Sequence, residues 1–537
     1  MNDRPSRESR IELSLFGSLL ILIALSIAAG RIAVVHSKEG DTAFLSANDR
    51  SRWCTVAALV EDGSYAIDRL IEIKDRSGKR RPWSTIDRVQ HTGPDGKMHS
   101  YSSKPPLFST MVAGVYWCVH LATGMTLTAQ PIYVARIVLA LVNLPIFFVF
   151  LWATWRSIFD SSASDFAKLV ALAVACFGTA LLPMVVSLNN HLPAAMATAV
   201  VLNCYLRVAG EIRWRVVASK YLMAGLAAGF TVANELPAAA MLVAWTILFY
   251  RQHVQATLLL YLPGVIVVAL AFFVSNHVAH QSFRPPYMHR SDGAVLGIIE
   301  AKQASGIPSS DEVAEVLKKE MPKVAFRLPV EVLATQSPDR WLVESADKNR
   351  RWALVRSSET SANVWSLRQW DHWYDYPGSY WMTTRQGVDR GEESRLRYLF
   401  HTTIGYFGIF SLTPIWLLVP GGIYRRIQEP QGRYRQLLAI AIAAVTLICF
   451  AFYLSRPLID RNYGGVSSSF RWMLWFTPLW IWGMTPTLSE ALLKPKFKSL
   501  VLLALALSII SAATALDNPW QMPWIYRYAS FLGWLDS

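Results

Sequence analysis

Long apolar runs separated by short basic tracts dominate this chain. A helix crossing the hydrocarbon core of a bilayer needs about 20 mainly apolar residues. The first such run extends from Leu13 to about Val35, behind a tail carrying Arg4, Arg7 and Arg10. No small-residue cleavage site follows it and Arg31 interrupts its outer end, so it reads as an uncleaved first span with the N-terminus in the cytoplasm. Further apolar stretches lie near 107–123, 131–155, 166–186, 191–207, 219–234, 236–250, 256–275, 401–423, 437–455, 470–488 and 499–516.

Basic loops set the direction of these runs. Arg207, Arg213, Arg215 and Lys220 form one cytoplasmic loop, Arg425, Arg426, Arg433 and Arg435 a second, and Lys494, Lys496 and Lys498 a third. Working backwards, the turn Asn189-Asn190-His191 is outside, 156–168 inside and 124–130 outside. A full span at 107–123 would reverse that order. This stretch starts directly after Lys104-Pro105-Pro106 and carries His120, so it reads as a juxtamembrane helix at the outer surface. The expected fold is an all-α polytopic membrane protein of about 11 transmembrane helices, with its C-terminus outside and mixed α/β structure in the extracytoplasmic loops. Three parts follow: a transmembrane module over 1–275 whose long first external loop (36–130) carries juxtamembrane helices, an extracytoplasmic domain over 276–400, and C-terminal transmembrane helices with an external tail over 401–537.

Composition agrees. Of 537 residues, 53% are hydrophobic and 17% charged, which excludes a disordered chain, a coiled coil and a disulfide-stapled secreted module. Lys and Arg number 52 against 38 acidic residues, a net charge of +14. That excess lies mostly in short tracts between apolar runs, where it sets orientation and does not mark a nucleic-acid partner. Five Cys show no metal spacing; Cys54 and Cys118 share the first external region, where a small buried thiol is the commoner state than a pair. No internal repeat is visible, which argues against a transporter built from inverted halves.

The first external loop holds the densest set of unusual residues. Asn48-Asp49-Arg50-Ser51-Arg52-Trp53 opens a helix with Trp53, Val56, Ala57, Leu59 and Val60 at an amphipathic spacing, expected to lie on the membrane surface with Asn48 as its N-cap. On local grounds Asp49 is a first-turn carboxylate favourable to the helix dipole. Residues 63–103, with Gly78, Gly93-Pro94 and Asp95-Gly96, read as turns among short strands and end in Tyr101-Ser102-Ser103-Lys104-Pro105-Pro106-Leu107.

An acidic residue shortly after the first span, followed by Lys-Pro-Pro-Leu opening a helix with Tyr116 and Trp117, resembles the GT-C superfamily of membrane glycosyltransferases. More narrowly it resembles the protein mannosyltransferase and lipid A aminoarabinose transferase group. Asp49 and Lys104 match the two motif positions, with Arg52 and Trp53 following the Asp, and the likeness covers about the first 275 residues. The resemblance implies a GT-C-like fold in which a sugar passes from a polyprenyl-phosphate-linked donor to a lipid, glycan or protein acceptor on the outer face of a bacterial inner membrane. Asp49 would then be the general base and Lys104 or Arg471 would stabilise the leaving phosphate. Relatives often place an acidic residue just before the Lys, where this chain has Ser103; Glu235 and Asp41 are candidates to replace it.

Other features carry two readings each. His191, in Asn189-Asn190-His191-Leu192-Pro193, is a helix-capping residue or a sugar or phosphate contact, and Glu235, in Asn234-Glu235-Leu236-Pro237, is a turn residue or a substrate contact. Arg471 follows Tyr463-Gly464-Gly465 and either snorkels to the interface or binds phosphate or sugar, as in related membrane glycosyltransferases with an aromatic-Gly-Gly segment before an Arg. The aromatic run 370–381 suits carbohydrate stacking and, more commonly, an interfacial belt. Within it Asp371, His372 and Asp375 are candidate ligands for a divalent metal, although no spacing selects one; no cofactor is otherwise implied. Against the transferase stand a transporter or flippase of lipid-linked sugars and a non-catalytic envelope-assembly protein.

Overall fold

The computed structural model describes residues 7–211, 213–302, 306–321, 329–335, 337–357, 363–429 and 432–535; Arg4 of the basic tail lies outside them. The chain is mostly helical, with a two-stranded and a five-stranded antiparallel sheet among the described residues. Among the described residues seven helices are long and apolar enough to cross a membrane: Glu8–Val34, Pro131–Phe159, Asp165–Met184, Trp214–Asn234, Val254–His280, Arg433–Ser455 and Pro495–Ala513. Even the shortest of these reaches about 28 Å, close to the thickness of a hydrocarbon core. This is an integral membrane protein.

Four other apolar stretches take different forms. The stretch at 191–207 is the helix His191–Val208, buried along nearly its whole length. Residues 236–250 form a 3₁₀ turn, Leu236–Ala238, and a helix of 14 residues, Ala239–Gln252. The 401–423 stretch is broken into Arg395–Thr403, Ile409–Leu412, a 3₁₀ turn Pro414–Leu418 and Val419–Gln428, because Gly405, Gly408 and Pro414 interrupt the helical path. The run at 470–488 begins as the 3₁₀ segment Arg471–Phe476 before the helix Thr477–Leu493. Pro106–Thr123 forms a helix of 18 residues that is not among the seven.

Two compact units organise the chain. The first comprises Met1–Asp49, Gly114–Phe272 and Gln386–Ser537; the second comprises Arg50–Ala113 and Phe273–Arg385. The first is built around His191–Val208, which packs against Pro131–Phe159 and Trp214–Asn234. Small residues let these helices approach closely. At Gly225 a Cβ would stand 2.0 Å from the Tyr261 carbonyl oxygen, so only glycine admits this backbone contact.

The second unit contains the hairpin β1 (Arg88–Thr92) and β2 (Met98–Ser102) and a sheet of β3 (Val295–Glu300), β4 (Val330–Ala334), β5 (Arg340–Ser345), β6 (Arg351–Arg356) and β7 (Val364–Gln369) in the order β3-β7-β6-β5-β4. Its core gathers Trp352, Leu354, Trp365 and Leu367 under the helix Ser310–Glu320, which presents Val313 and Leu317 at helical spacing. A capping box between Ser309 and Glu312 starts that helix. The turn chemistry of 93–96 closes the first hairpin, with Gly93 N–H donating to the Lys97 carbonyl at 2.7 Å.

One local expectation is corrected. The helix after the first loop runs Ala47–Ala57, so Asn48 lies inside it, and the Ser46 hydroxyl caps it by accepting the Asp49 N–H at 3.0 Å. Nor does this helix rest on a membrane surface by an apolar stripe: Trp53, Cys54, Val56 and Ala57 are wholly buried.

Candidate functional site

Asp49 is completely buried. Its Oδ2 accepts the Leu45 N–H at 2.9 Å, the local capping role, and its Oδ1 accepts the Leu188 N–H at 2.9 Å. The carboxylate therefore ties the start of its own helix to the turn ahead of the central helix His191–Val208. These two backbone donors fix its orientation.

Amides hold that turn. Asn143 Nδ2 donates to the carbonyls of Val185 at 2.7 Å and Ser187 at 3.0 Å, and Asn189 Nδ2 donates to Met184 O at 2.7 Å. Asn189 Oδ1 accepts the N–H groups of His191 and Leu192, both at 3.0 Å, satisfying two of the donors a helix start leaves open. Asn189, not His191, does the capping, and the imidazole is left for other partners.

His191 is 1% exposed and stands between opposite charges. Arg471 Nη1 lies 2.6 Å from His191 Nε2, and His191 Nδ1 forms a short hydrogen bond with Glu235 Oε1. A guanidinium only donates, so Nε2 accepts and the ring proton sits on Nδ1, donated to Glu235. Asn190 Nδ2 donates to the same Glu235 oxygen at 2.7 Å and to Asn234 O at 2.9 Å. Arg471, in turn, donates from Nε and Nη2 to the Gly464 carbonyl at 2.8 and 2.6 Å, and its guanidinium lies 4.8 Å from the centre of the Trp520 ring. Gly464 is required twice over: its φ is +93°, and a Cβ there would stand 2.7 Å from Arg471 Nε. The structure thus brings Asp49, His191, Glu235 and Arg471 to the two ends of one turn, at the positive end of a buried helix where carboxylates are favoured.

Arg52 and Lys104 belong to the second unit. Arg52 is buried. Lys104 Nζ pairs with Asp87 Oδ2 at 3.0 Å. Asp87 is the residue sequence reasoning missed. Arg88 pairs with Ser102, and the Ser103 N–H donates to the Asp87 carbonyl at 3.1 Å, so Asp87 stands directly across the hairpin from Ser103. The acidic neighbour absent before Lys104 in sequence is supplied from the opposite strand. The Ser51 hydroxyl holds that corner, donating to Asp87 O at 2.5 Å. Asp41 is half-buried in a turn closed by Ser37 N–H donating to Thr42 O at 2.7 Å.

Asp371, His372 and Asp375 do not form a divalent-metal site. Asp371 accepts from Arg284 at 2.7 Å and pairs with His289, Asp375 is bound by Arg340, and among the described residues no group of three or more His, Cys, Asp or Glu side chains is arranged to hold a metal. Cys54 and Cys118 are both free thiols; burial pushes Cys54 up to about 12, against the lowering effect of Arg50.

No family model and no curated protein matches the chain. Among solved structures it is similar to the Archaeoglobus fulgidus oligosaccharyltransferase in the apo form, with 11% identity and a TM-score of 0.44 over 96% of this chain and 57% of that one. The same enzyme with Zn and sulfate matches at 12% identity and a TM-score of 0.43, over 96% of this chain and 55% of that one. The Archaeoglobus fulgidus oligosaccharyltransferase AglB in complex with an inhibitory peptide and a dolichol-phosphate gives 11% and 0.44, over 96% and 57%. The chain spans somewhat more than half the length of these structures.

Proposed function

We propose that this protein is a membrane glycosyltransferase of the GT-C superfamily, akin to the protein mannosyltransferase and lipid A aminoarabinose transferase group. It moves a sugar from a polyprenyl-phosphate-linked donor to a lipid, glycan or protein acceptor. The observation that carries this reading is the turn 187–191, with Asp49 bound at Leu188 and, three residues on, His191 linking Glu235 to Arg471. In the reaction the acceptor hydroxyl oxygen bonds to the anomeric carbon as the bond from that carbon to the phosphate oxygen breaks. The hydroxyl proton passes to Asp49 and the electron pair leaves with the polyprenyl phosphate, whose charge Arg471 stabilises. Glu235 and His191 orient Arg471 and keep its charge balanced. Arg52 and Lys104 are assigned to substrate contacts made by the second unit.

The same reading sets the topology: about 11 spans, a cytoplasmic N-terminus and an extracytoplasmic turn 187–191, in a bacterial inner membrane. It also divides the chain by role into a GT-C-like module over 1–275, an extracytoplasmic domain over 276–400 and C-terminal helices over 401–537.

Purified wild type and Asp49→Asn, incubated with polyprenyl-phosphate-linked sugars and envelope acceptors, test the assignment. Transfer is expected to fall by about 10²–10⁴-fold in the variant. Undiminished transfer by Asp49→Asn removes Asp49 from catalysis. Lipid movement across vesicles without transfer identifies a transporter or flippase, and dispensability of both Asp49 and Lys104 identifies an envelope-assembly protein. Topology tags at residues 126 and 160 check the orientation, and a cytoplasmic signal at 126 overturns it.

A further inference from the structure

The segment between the paired glycines and Arg471 carries three consecutive serines, Ser467, Ser468 and Ser469, whose hydroxyls are all buried without a hydrogen-bond partner; Trp520 Nε1 is in the same condition. Ser467 is 0% exposed. Unsatisfied buried donors cost a folded chain stability, and four of them together are unusual.

The four are drawn to one place by contacts of the first unit. The Ser468 N–H donates to the Pro519 carbonyl at 2.9 Å, which brings the serines beside Trp520. The Trp520 ring lies against the Arg471 guanidinium, and the Arg471 N–H donates to the Ser469 carbonyl at 2.8 Å. His191 completes the edge, its ring 6.5 Å from that of Trp520. At the start of the segment Gly464 and Gly465, with φ of +93° and +73°, leave main chain without side chains.

The chemistry of this corner selects its ligand class. Arg471 and Trp520 Nε1–H donate and never accept, and serine hydroxyls are free to donate as well. Serine oxygens accept as well as donate, so it is the Arg471 charge beside these donors that makes an oxyanion, and not a neutral sugar hydroxyl, their complement. We infer that Ser467, Ser468, Ser469 and Trp520 form a phosphate-binding corner beside Arg471, filled by a phosphate group. The glycosyl-transfer reading enters only in naming the lipid carrier's headgroup as the source; free phosphate offers the same chemistry.

Thermal unfolding and binding of the full-length protein in detergent test this, with polyprenyl monophosphate, inorganic phosphate and phosphate-free polyprenol as probes. In the variant combining Ser467→Ala, Ser468→Ala and Ser469→Ala, unliganded protein is expected to melt no lower than wild type, because the groups removed had no partners. Its affinity for polyprenyl monophosphate is expected to fall by about tenfold or more per lost charged hydrogen bond, with polyprenol binding unchanged. Trp520→Phe, which keeps an aromatic face beside Arg471 while removing the N–H, is expected to lose about tenfold. Protection of wild type by inorganic phosphate, lost in the serine variant, assigns the corner to any phosphate; protection by the lipid alone assigns it to the carrier headgroup. Unchanged affinity for both phosphate probes in both variants, a lower melting temperature of the unliganded serine variant, or no stabilisation of wild type by either phosphate probe overturns the inference. Phosphate binding that the variants lose, in a wild type that transfers no sugar, keeps the corner and removes glycosyl transfer; transfer with unaltered phosphate affinity in the variants does the reverse.

Discussion

An arginine, a histidine and a carboxylate meet in each unit, wired in different orders. In the first unit His191 is central: Arg471 donates to Nε2, and Nδ1 is bonded to Glu235. In the second unit the carboxylate is central: Arg284 donates to one oxygen of Asp371 at 2.7 Å and His289 Nδ1 bonds to the other, while the His289 ring stacks on Trp373 at 3.4 Å. A carboxylate between two donors has its charge answered directly and acts as a clasp. An imidazole between a cation and an anion instead links Arg471 to Glu235 through its two ring nitrogens. On the proposed reading, this arrangement holds the guanidinium at a buried position where a ligand's negative charge engages it.

Removing each arginine or carboxylate distinguishes clasp from relay most sharply. Arg471→Met strands His191 Nε2 and the Gly464 carbonyl, and is expected to lower sugar transfer by about 10²–10³-fold. Glu235→Gln preserves the hydrogen bond without the charge and is expected to cost about tenfold. Asp371→Asn is expected to leave transfer near wild type. All three are read with purified variants and a polyprenyl-phosphate-linked donor. Comparable loss in Asp371→Asn would mean that the clasp is functional too, and the contrast between the units would fail.

The second unit carries its own acid sensitivity. His91 is packed between Tyr101 and Trp373 and contacts His280 Nδ1 at 3.0 Å; burial, against the raising effect of the Thr92 carbonyl, pushes it down to about 4. Its folded value lies below its unfolded value of 6.5, so the unfolded chain binds the proton more tightly. Stability from His91 is therefore complete above pH 6.5 and declines by about 3 kcal/mol as pH falls to about 4. Hydrogen exchange, corrected for intrinsic rates, is expected to accelerate in β1 and β2 across this window, and His91→Phe to flatten the response. A wild-type profile without that change would show that His91 is not held neutral.

How far the site was legible before the fold follows from which residues are local. His191, Glu235 and Arg471 stand out because each interrupts an apolar run or closes one, a cost read directly along the chain, whereas Asp49 stands out only through the motif resemblance. Their partnership depends on contacts separated by up to 280 positions, as between His191 and Arg471, and no periodicity encodes that. Asp87 was legible in principle: the turn at 93–96 sets a register, and counting outward from it pairs 87 with 103. Several apolar stretches gave their positions but not their shapes, because glycine and proline within 401–423 outweigh hydrophobicity in deciding whether a helix continues.

Glycine replacements compare the units at smaller cost. Gly464 and Gly378 both have positive φ, +93° and +77°, but only Gly464 has an arginine where a Cβ would go; at Gly378 nothing lies within 4 Å. Either alanine is expected to cost about 1–2 kcal/mol from backbone strain. Gly464→Ala should also displace Arg471 and lower transfer by about tenfold, whereas Gly378→Ala should leave transfer intact. Equal transfer by the two would mean that the guanidinium does not need its present position.

The smallest effect concerns the clasp itself. Burial alone would raise the Asp371 carboxyl, but the His289 hydrogen bond and Arg284 outweigh it and hold the group below its ordinary 3.8. A carboxylate lowered in the folded state contributes stability that is complete above the unfolded value and disappears as pH falls through the folded one. Arg284 is half-exposed, so solvent screening limits the contribution to about 1 kcal/mol or less. Asp371→Asn should therefore melt slightly below wild type at pH 7, and the gap should close only below 3.8. A gap that persists in acid would mean that Asp371 stabilises the unit by shape and hydrogen bonding with its proton on, and that its charge is not what closes the clasp.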